Sequence, residues 1–307
     1  MAEQGGRLAV SYFDHQFDPM ALMDPRSFYE ARGQQDMLEV AELGFDQVVM
    51  CVTELDLASK QRLSLLKNLV EVASGAGLEV NADPWRIGGV FGGEGVSFYE
   101  QNGLAPCTHE PKLSDLTKQW LDAVAEAGIE RVFWDEPGVG CDEHGNLSLD
   151  FIDGCSQEAK SRGITWNSSC VRSRDQDTSA ADDIASMVAI DEIGVAPYPF
   201  HPKNPVQKSA EEVVEHIRPW FEAIHESADR HNKQAHAWLQ GFNISEANDP
   251  VLDIYIETIR ACGIGNIAVW GFRSCASVAF LNPDTAQHPD TTWQSVQRSL
   301  GLSQPAR

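Results

Sequence analysis

Short runs of apolar and β-branched residues alternate along the chain with longer stretches whose apolar positions recur three and four residues apart. The short runs are LAVSYFD (Leu8 to Asp14), QVVMCVTEL (Gln47 to Leu55), LEVNADPW (Leu78 to Trp85), RVFWDEP (Arg131 to Pro137), ITWNSSC (Ile164 to Cys170), EIGVAPYP (Glu192 to Pro199), AHAWLQGF (Ala235 to Phe242) and IAVWGFRS (Ile267 to Ser274). Their length and residue types predict buried strands. The intervening stretches, such as KQRLSLLKNLVEVASGAG, LSDLTKQWLDAVAEAG and AEEVVEHIRPWFEAIHESADRHN, predict amphipathic helices. Gly44, Gly77, Gly128, Gly163 and Gly263 stand just ahead of the next strand, where a helix end calls for a left-handed residue.

Strands alternating with helices predict a parallel sheet with right-handed crossovers. Eight such units in 307 residues match a (β/α)8 barrel, an α/β fold, ahead of a doubly wound open sheet. No linker, low-complexity tract or internal repeat divides the chain, so one domain is expected over residues 1–307.

Composition removes several partner classes. A formal net charge of -23 weighs against nucleic acid or an anionic membrane surface, both of which need clustered Lys and Arg. No apolar run approaches the roughly 20 residues of a membrane span. The opening MAEQGGRLAV has no basic stretch ahead of a long apolar core, so no secretory signal is expected. The seven cysteines (Cys51, Cys107, Cys141, Cys155, Cys170, Cys262 and Cys275) are scattered and form no CxxC pair. Reduced thiols in a cytoplasm are therefore expected, rather than a zinc site or a disulfide framework. The histidines form no HExxH, and neither a metal nor a cofactor is expected. A small-molecule or oligosaccharide substrate fits this profile. The oligomeric state is left open, self-assembly included.

A (β/α)8 barrel carries its active site at the C-terminal ends of its strands. Those ends hold Asp14-His15, then Glu54 and Asp56, then Asp83-Pro84-Trp85, then Asp135-Glu136. The second half of the ring offers Asn167 with Ser168 and Ser169, Pro197-Tyr198, Trp238 with Gln240, and Trp270 with Phe272. Indole faces stack on the C–H faces of sugar rings, while carboxylates and amides hydrogen-bond hydroxyls. A carbohydrate suits such a cup. The connection from Trp85 to about Lys112 is far longer than the usual two to six residues, and its GGVFGGEG predicts a lid that brings Glu94 inward.

In RVFWDEPGVG, two adjacent carboxylates, Asp135 and Glu136, end a buried strand beneath Trp134. Burying either is costly unless the charge is used or compensated. Such a site separates two carboxyl pKa values, one group protonated and one ionised, as glycoside hydrolysis requires. The structural alternative has Asp135 capping the next segment and Glu136 pairing with Arg172 or Arg174.

WDEP on the fourth strand, WLQGF on the seventh and VWGF on the eighth resemble glycoside-hydrolase-like (β/α)8 barrels. In the large retaining clan of that fold the fourth strand ends in Asn-Glu-Pro. The resemblance implies Glu136 as acid/base and Trp270 as the eighth-strand tryptophan. The clan's seventh-strand nucleophile position reads Gln240 here. The combination DPW…GGVFGGE…FWDEP…WLQGF…VWG is more similar to a sparsely characterised group of bacterial glycosidase-like barrels, from Leu78 to about Phe272. Some barrel glycosidases use a fourth-strand Asp as nucleophile, which would recruit Asp135. The second carboxylate is then expected from Asp83, Glu94 or Glu54.

Trp85, Trp238 and Trp270 are expected as stacking walls. Gln240, Asn167 and Tyr198 are expected to hydrogen-bond sugar hydroxyls, and Asp14 and Glu54 to line the cup, with His15 as a floor residue. Two rival readings stand beside the glycosidase: a metal-dependent sugar isomerase or epimerase, and a non-catalytic carbohydrate-binding barrel in which Gln240 marks a lost nucleophile. A Schiff-base aldolase is disfavoured, because no strand end carries a lysine.

Overall fold

A computed structural model of the chain describes residues 6–57, 59–84, 111–134, 149–169, 179–200, 207–245, 248–280 and 288–303. Eight parallel strands close into a barrel in sequence order: β1 (Leu8–Tyr12), β2 (Gln47–Cys51), β3 (Glu79–Asp83), β4 (Arg131–Trp134), β5 (Thr165–Ser169), β6 (Glu192–Val195), β7 (Gln234–Gln240) and β8 (Asn266–Trp270). The ring closes where Val10 of β1 pairs with Val269 of β8. Helices lie between the strands, so the fold is the expected (β/α)8 barrel. No helix among the described residues is long and apolar enough to cross a membrane.

The five helix-stop glycines all adopt positive φ, from 77° at Gly163 to 98° at Gly44. The long helix Ala210–Arg230 opens on a capping box, with Ser209 and Glu212 each satisfying the other's backbone amide.

Strand alternation divides the core in two. Val10, Tyr12, Val48, Met50, Val80, Ala82, Val132, Trp134, Ile193, Val195, Ala237, Leu239, Ile267 and Val269 face outward and pack with the helices. Trp134 is among them, meeting Trp166 at 5.4 Å and Phe151 at 6.2 Å. Its ring belongs to the layer between barrel and helices, while Asp135 and Glu136, which follow it, lie outside the described residues.

The inward positions form three levels. At the N-terminal end, the first residues of six strands (Gln47, Glu79, Arg131, Glu192, Gln234 and Asn266) join Arg7 in a polar plug. Arg131 Nε lies 2.7 Å from Glu79, and Asn266 donates to Glu192 at 3.1 Å. Above the plug sits an apolar level of Ala9, Val49, Phe133, Ala196, Trp238 and Ala268. The top level comprises Phe13, Cys51, Phe242 and Cys275, with Tyr198 and Trp270 half-buried over it.

Candidate active site

At the C-terminal mouth, Asp83 ends β3 on the inward face, since its neighbours Ala82 and Val80 pack outward. Its side chain is fully buried. The main chain there is fixed, because Val52 N–H donates to the Asp83 carbonyl at 3.0 Å and Cys51 is its register partner. Across the mouth, Trp270 closes on Phe13 with ring centres 4.6 Å apart, and Tyr198 meets Phe242 edge-on at 5.3 Å. The floor is thus aromatic, the rim carries a carboxylate, and two amphipathic rings remain half-buried at its edge.

The structure places other expected site residues elsewhere. Asp14 opens the short helix Asp14–Phe17, which follows β1 after Phe13. It takes Arg32 Nη2 at 3.2 Å and the Ser277 hydroxyl at 3.1 Å, so it ties a loop down instead of lining the cup. Asn167 belongs to the lower level, its amide donating to Glu192 at 3.0 Å beneath the apolar layer. Glu192 would be raised by burial alone. Hydrogen bonds and charge from His236, Asn266 and Arg7 instead hold it below the usual carboxylate range.

Gln240 points inward but donates both amide hydrogens to main-chain carbonyls, Phe200 O at 2.7 Å and Phe242 O at 3.1 Å, and accepts Phe200 N–H at 3.0 Å. It shapes the loops after β6 and β7, with no amide hydrogen left for a sugar. Trp238 is wholly buried, donating its indole N–H to Ser169 Oγ at 2.9 Å. It is the central packing residue of the apolar level, not a wall of the cup.

Glu54 opens the short helix Glu54–Leu57 after β2; its side chain lies outside the described residues. Trp85, Glu94, Asp135 and Glu136 also lie outside them, as do Arg172 and Arg174.

Sequence reading missed a buried polar seam around the mouth. Gln16 donates to Asp56 Oδ2 at 2.5 Å and accepts from Thr53 and Arg62, joining the loops after β1 and β2. Asp36, on the helix Gln34–Leu43, accepts from Tyr12 at 2.8 Å and pairs with Arg273 at 2.8 Å. An acid on the buried face of an amphipathic helix, as Asp36 is, was the available signal.

His15 is fully buried against Tyr12, with ring centres 5.4 Å apart and nearly parallel. Burial first, then the Arg62 charge, lowers it from 6.5 to about 3, with the Cys51 carbonyl opposing. Burial and repulsion from Asp36 raise Asp14 to about 6, with Arg32, Arg273 and Ser277 opposing. Below about pH 6.5 the unfolded chain protonates His15 and the folded chain does not, so stability falls as pH falls. Asp14 works in the opposite sense, losing stability as pH rises from about 3.8 toward about 6. Between pH 7.5 and 5, the wild type is expected to lose about 2 kcal/mol more than His15→Phe, read by urea unfolding. Equal losses in the two proteins would refute the buried neutral imidazole.

No family model and no curated protein matches the chain. Solved structures do. A GH5_18 structure from Streptomyces cattleya, in complex with Manb1-4GlcNAc, superposes with a TM-score of 0.64 at 13% identity, covering 98% of this chain and 82% of that one. The fold it shares with this chain is the (β/α)8 barrel. The endo-1,4-beta-mannanase from Rhizomucor miehei gives a TM-score of 0.62 at 12% identity, covering 95% and 93% of the two chains. A sugar epimerase is among the matches too: D-psicose 3-epimerase from Clostridium cellulolyticum H10, with D-tagatose, has a TM-score of 0.52 at 10% identity over 96% and 97%.

Proposed function

We propose that the protein is a glycoside hydrolase working at the C-terminal mouth of the barrel, with Asp83 as one of its two carboxylates. The observation that carries this reading is the position of Asp83, buried on the inward face at a strand end above an aromatic floor. A carboxyl group there faces the space where a sugar ring lies against Trp270. The second carboxylate is drawn from Asp135, Glu136 and Glu94. Asp135 is taken first among them, because it directly follows Trp134, the last residue of β4.

One carboxyl protonates the departing glycosidic oxygen, and the other attacks the anomeric carbon or activates a water. The C–O bond breaks with its electron pair on the leaving oxygen, which takes the acid's proton. Carbohydrate recognition is supported by the fold neighbour solved with Manb1-4GlcNAc, and that disaccharide belongs in the substrate screen.

The test is a panel of aryl glycosides and natural oligosaccharides with product analysis. Release of a reducing sugar supports the proposal. Binding by calorimetry without product would make the barrel a carbohydrate-binding module. Ketose epimerisation abolished by EDTA and restored by Mn²⁺ would instead establish the epimerase seen among the fold neighbours.

A further inference from the structure

The last register pair of β1 with β8 is Val10 with Val269. Beyond it, Phe13, just after β1, and Trp270, ending β8, meet at 4.6 Å and make one side of the cup. The chain after Trp270 adopts an uncommon conformation. Arg273, Ser274 and Cys275 all have left-handed φ, at 46°, 54° and 60°, a region that residues with a Cβ seldom occupy and that persists only where the surroundings enforce it.

The surroundings are ionic. Arg273 Nη1 lies 2.8 Å from Asp36 and its Nη2 donates to Glu39 at 2.6 Å, both acids on the helix Gln34–Leu43. The same guanidinium covers the Phe272 ring, its carbon 4.6 Å from the ring centre. Asp36 is buried, and its other oxygen takes the Tyr12 hydroxyl at 2.8 Å. Tyr12 precedes Phe13. One carboxylate therefore ties the residue before Phe13 to the turn that begins three residues after Trp270.

We propose that Arg273 and Asp36 are positioning residues for the carbohydrate platform: their ion pair holds the left-handed turn after β8 so that the Trp270 indole keeps its place against Phe13 at the cup. Neither residue touches substrate. The effect on catalysis rests on the glycosidase reading, whereas the effect on the indole does not.

The experiment therefore has two arms. Trp270 lies 5.5 Å from Trp238 at 75°, a geometry that couples the two indole transitions and gives a circular-dichroism couplet. The part due to this pair is the difference between wild type and Trp270→Phe. In Arg273→Met, that part is expected to fall by more than half. In the kinetic arm, KM for a cleaved glycoside is expected to rise about tenfold with kcat within threefold of wild type. Arg273→Lys, which keeps one charge, should restore both in part, and Glu39→Gln should fall between. If Arg273→Met does not fold, the lysine and Glu39 variants carry the same comparison. A full couplet and an unchanged KM in the folded variants would overturn the proposal. If no glycoside is cleaved at all, the function fails while the couplet still decides the clamp.

Discussion

Replacing Asp83 by asparagine is expected to lower glycoside turnover on the order of 10²-fold or more, the usual worth of a positioned general acid or base. The amide has nearly the shape of the carboxyl, so the strand end should survive the change. Its anchor is the main-chain bond from Val52, which the substitution leaves alone. The loss should therefore appear in kcat and not in folding. Asp135→Asn and Glu136→Gln are the companion variants, and the true partner of Asp83 should show a loss of similar size. Two groups acting on one bond do not act independently, so the double variant should be little worse than either single one. Product stereochemistry completes the test. Retention corresponds to carboxyl groups about 5 Å apart and inversion to about 6.5–9.5 Å, so the anomer formed reports which acid stands opposite Asp83. All three single variants within a few-fold of wild type would end the assignment.

The barrel was legible because strand and helix periods alternate cleanly and each strand begins at a readable boundary. Every predicted strand starts within one residue of the observed one, and each helix-stop glycine is left-handed. Most of the predicted strands run on past their observed ends, as in β2, where Val52 continues the apolar run while the chain turns toward the helix Glu54–Leu57. Asp83, Tyr198 and Trp270 were found at the mouth because barrel geometry alone locates strand ends. Asp14, Asn167 and Gln240 were misjudged because a polar side chain near a strand end takes the partner that folding supplies. Those partners are Arg32, Glu192 and the main chain of Phe200, all distant in sequence. The plug was readable. Gln47, Glu79, Arg131, Glu192, Gln234 and Asn266 are polar residues at the first position of otherwise buried strands, where a lumen needs a hydrated end.

Trp238 and Trp270 occupy the same face of neighbouring strands, yet alanine at the two positions should damage different properties. Trp238 is wholly buried between Phe133 at 5.0 Å and Trp270 at 5.5 Å, with its indole N–H held by Ser169. Trp238→Ala removes the largest side chain of the middle level, in a lumen whose strands cannot move inward without breaking the ladder. About 3–5 kcal/mol of folding stability should be lost, through lost transfer free energy and the cavity left behind. The Ser169 hydroxyl loses its indole donor as well. Trp270 is half-buried at the mouth, so Trp270→Ala gives up less packing and should unfold at higher urea than Trp238→Ala. Its cost should fall on binding, as a higher KM for any glycoside that stacks on the indole. Equilibrium urea unfolding of the two variants, set beside their KM values, separates the roles. If Trp270→Ala were the less stable of the two and left KM unchanged, its indole would be core and the cup would have lost its platform.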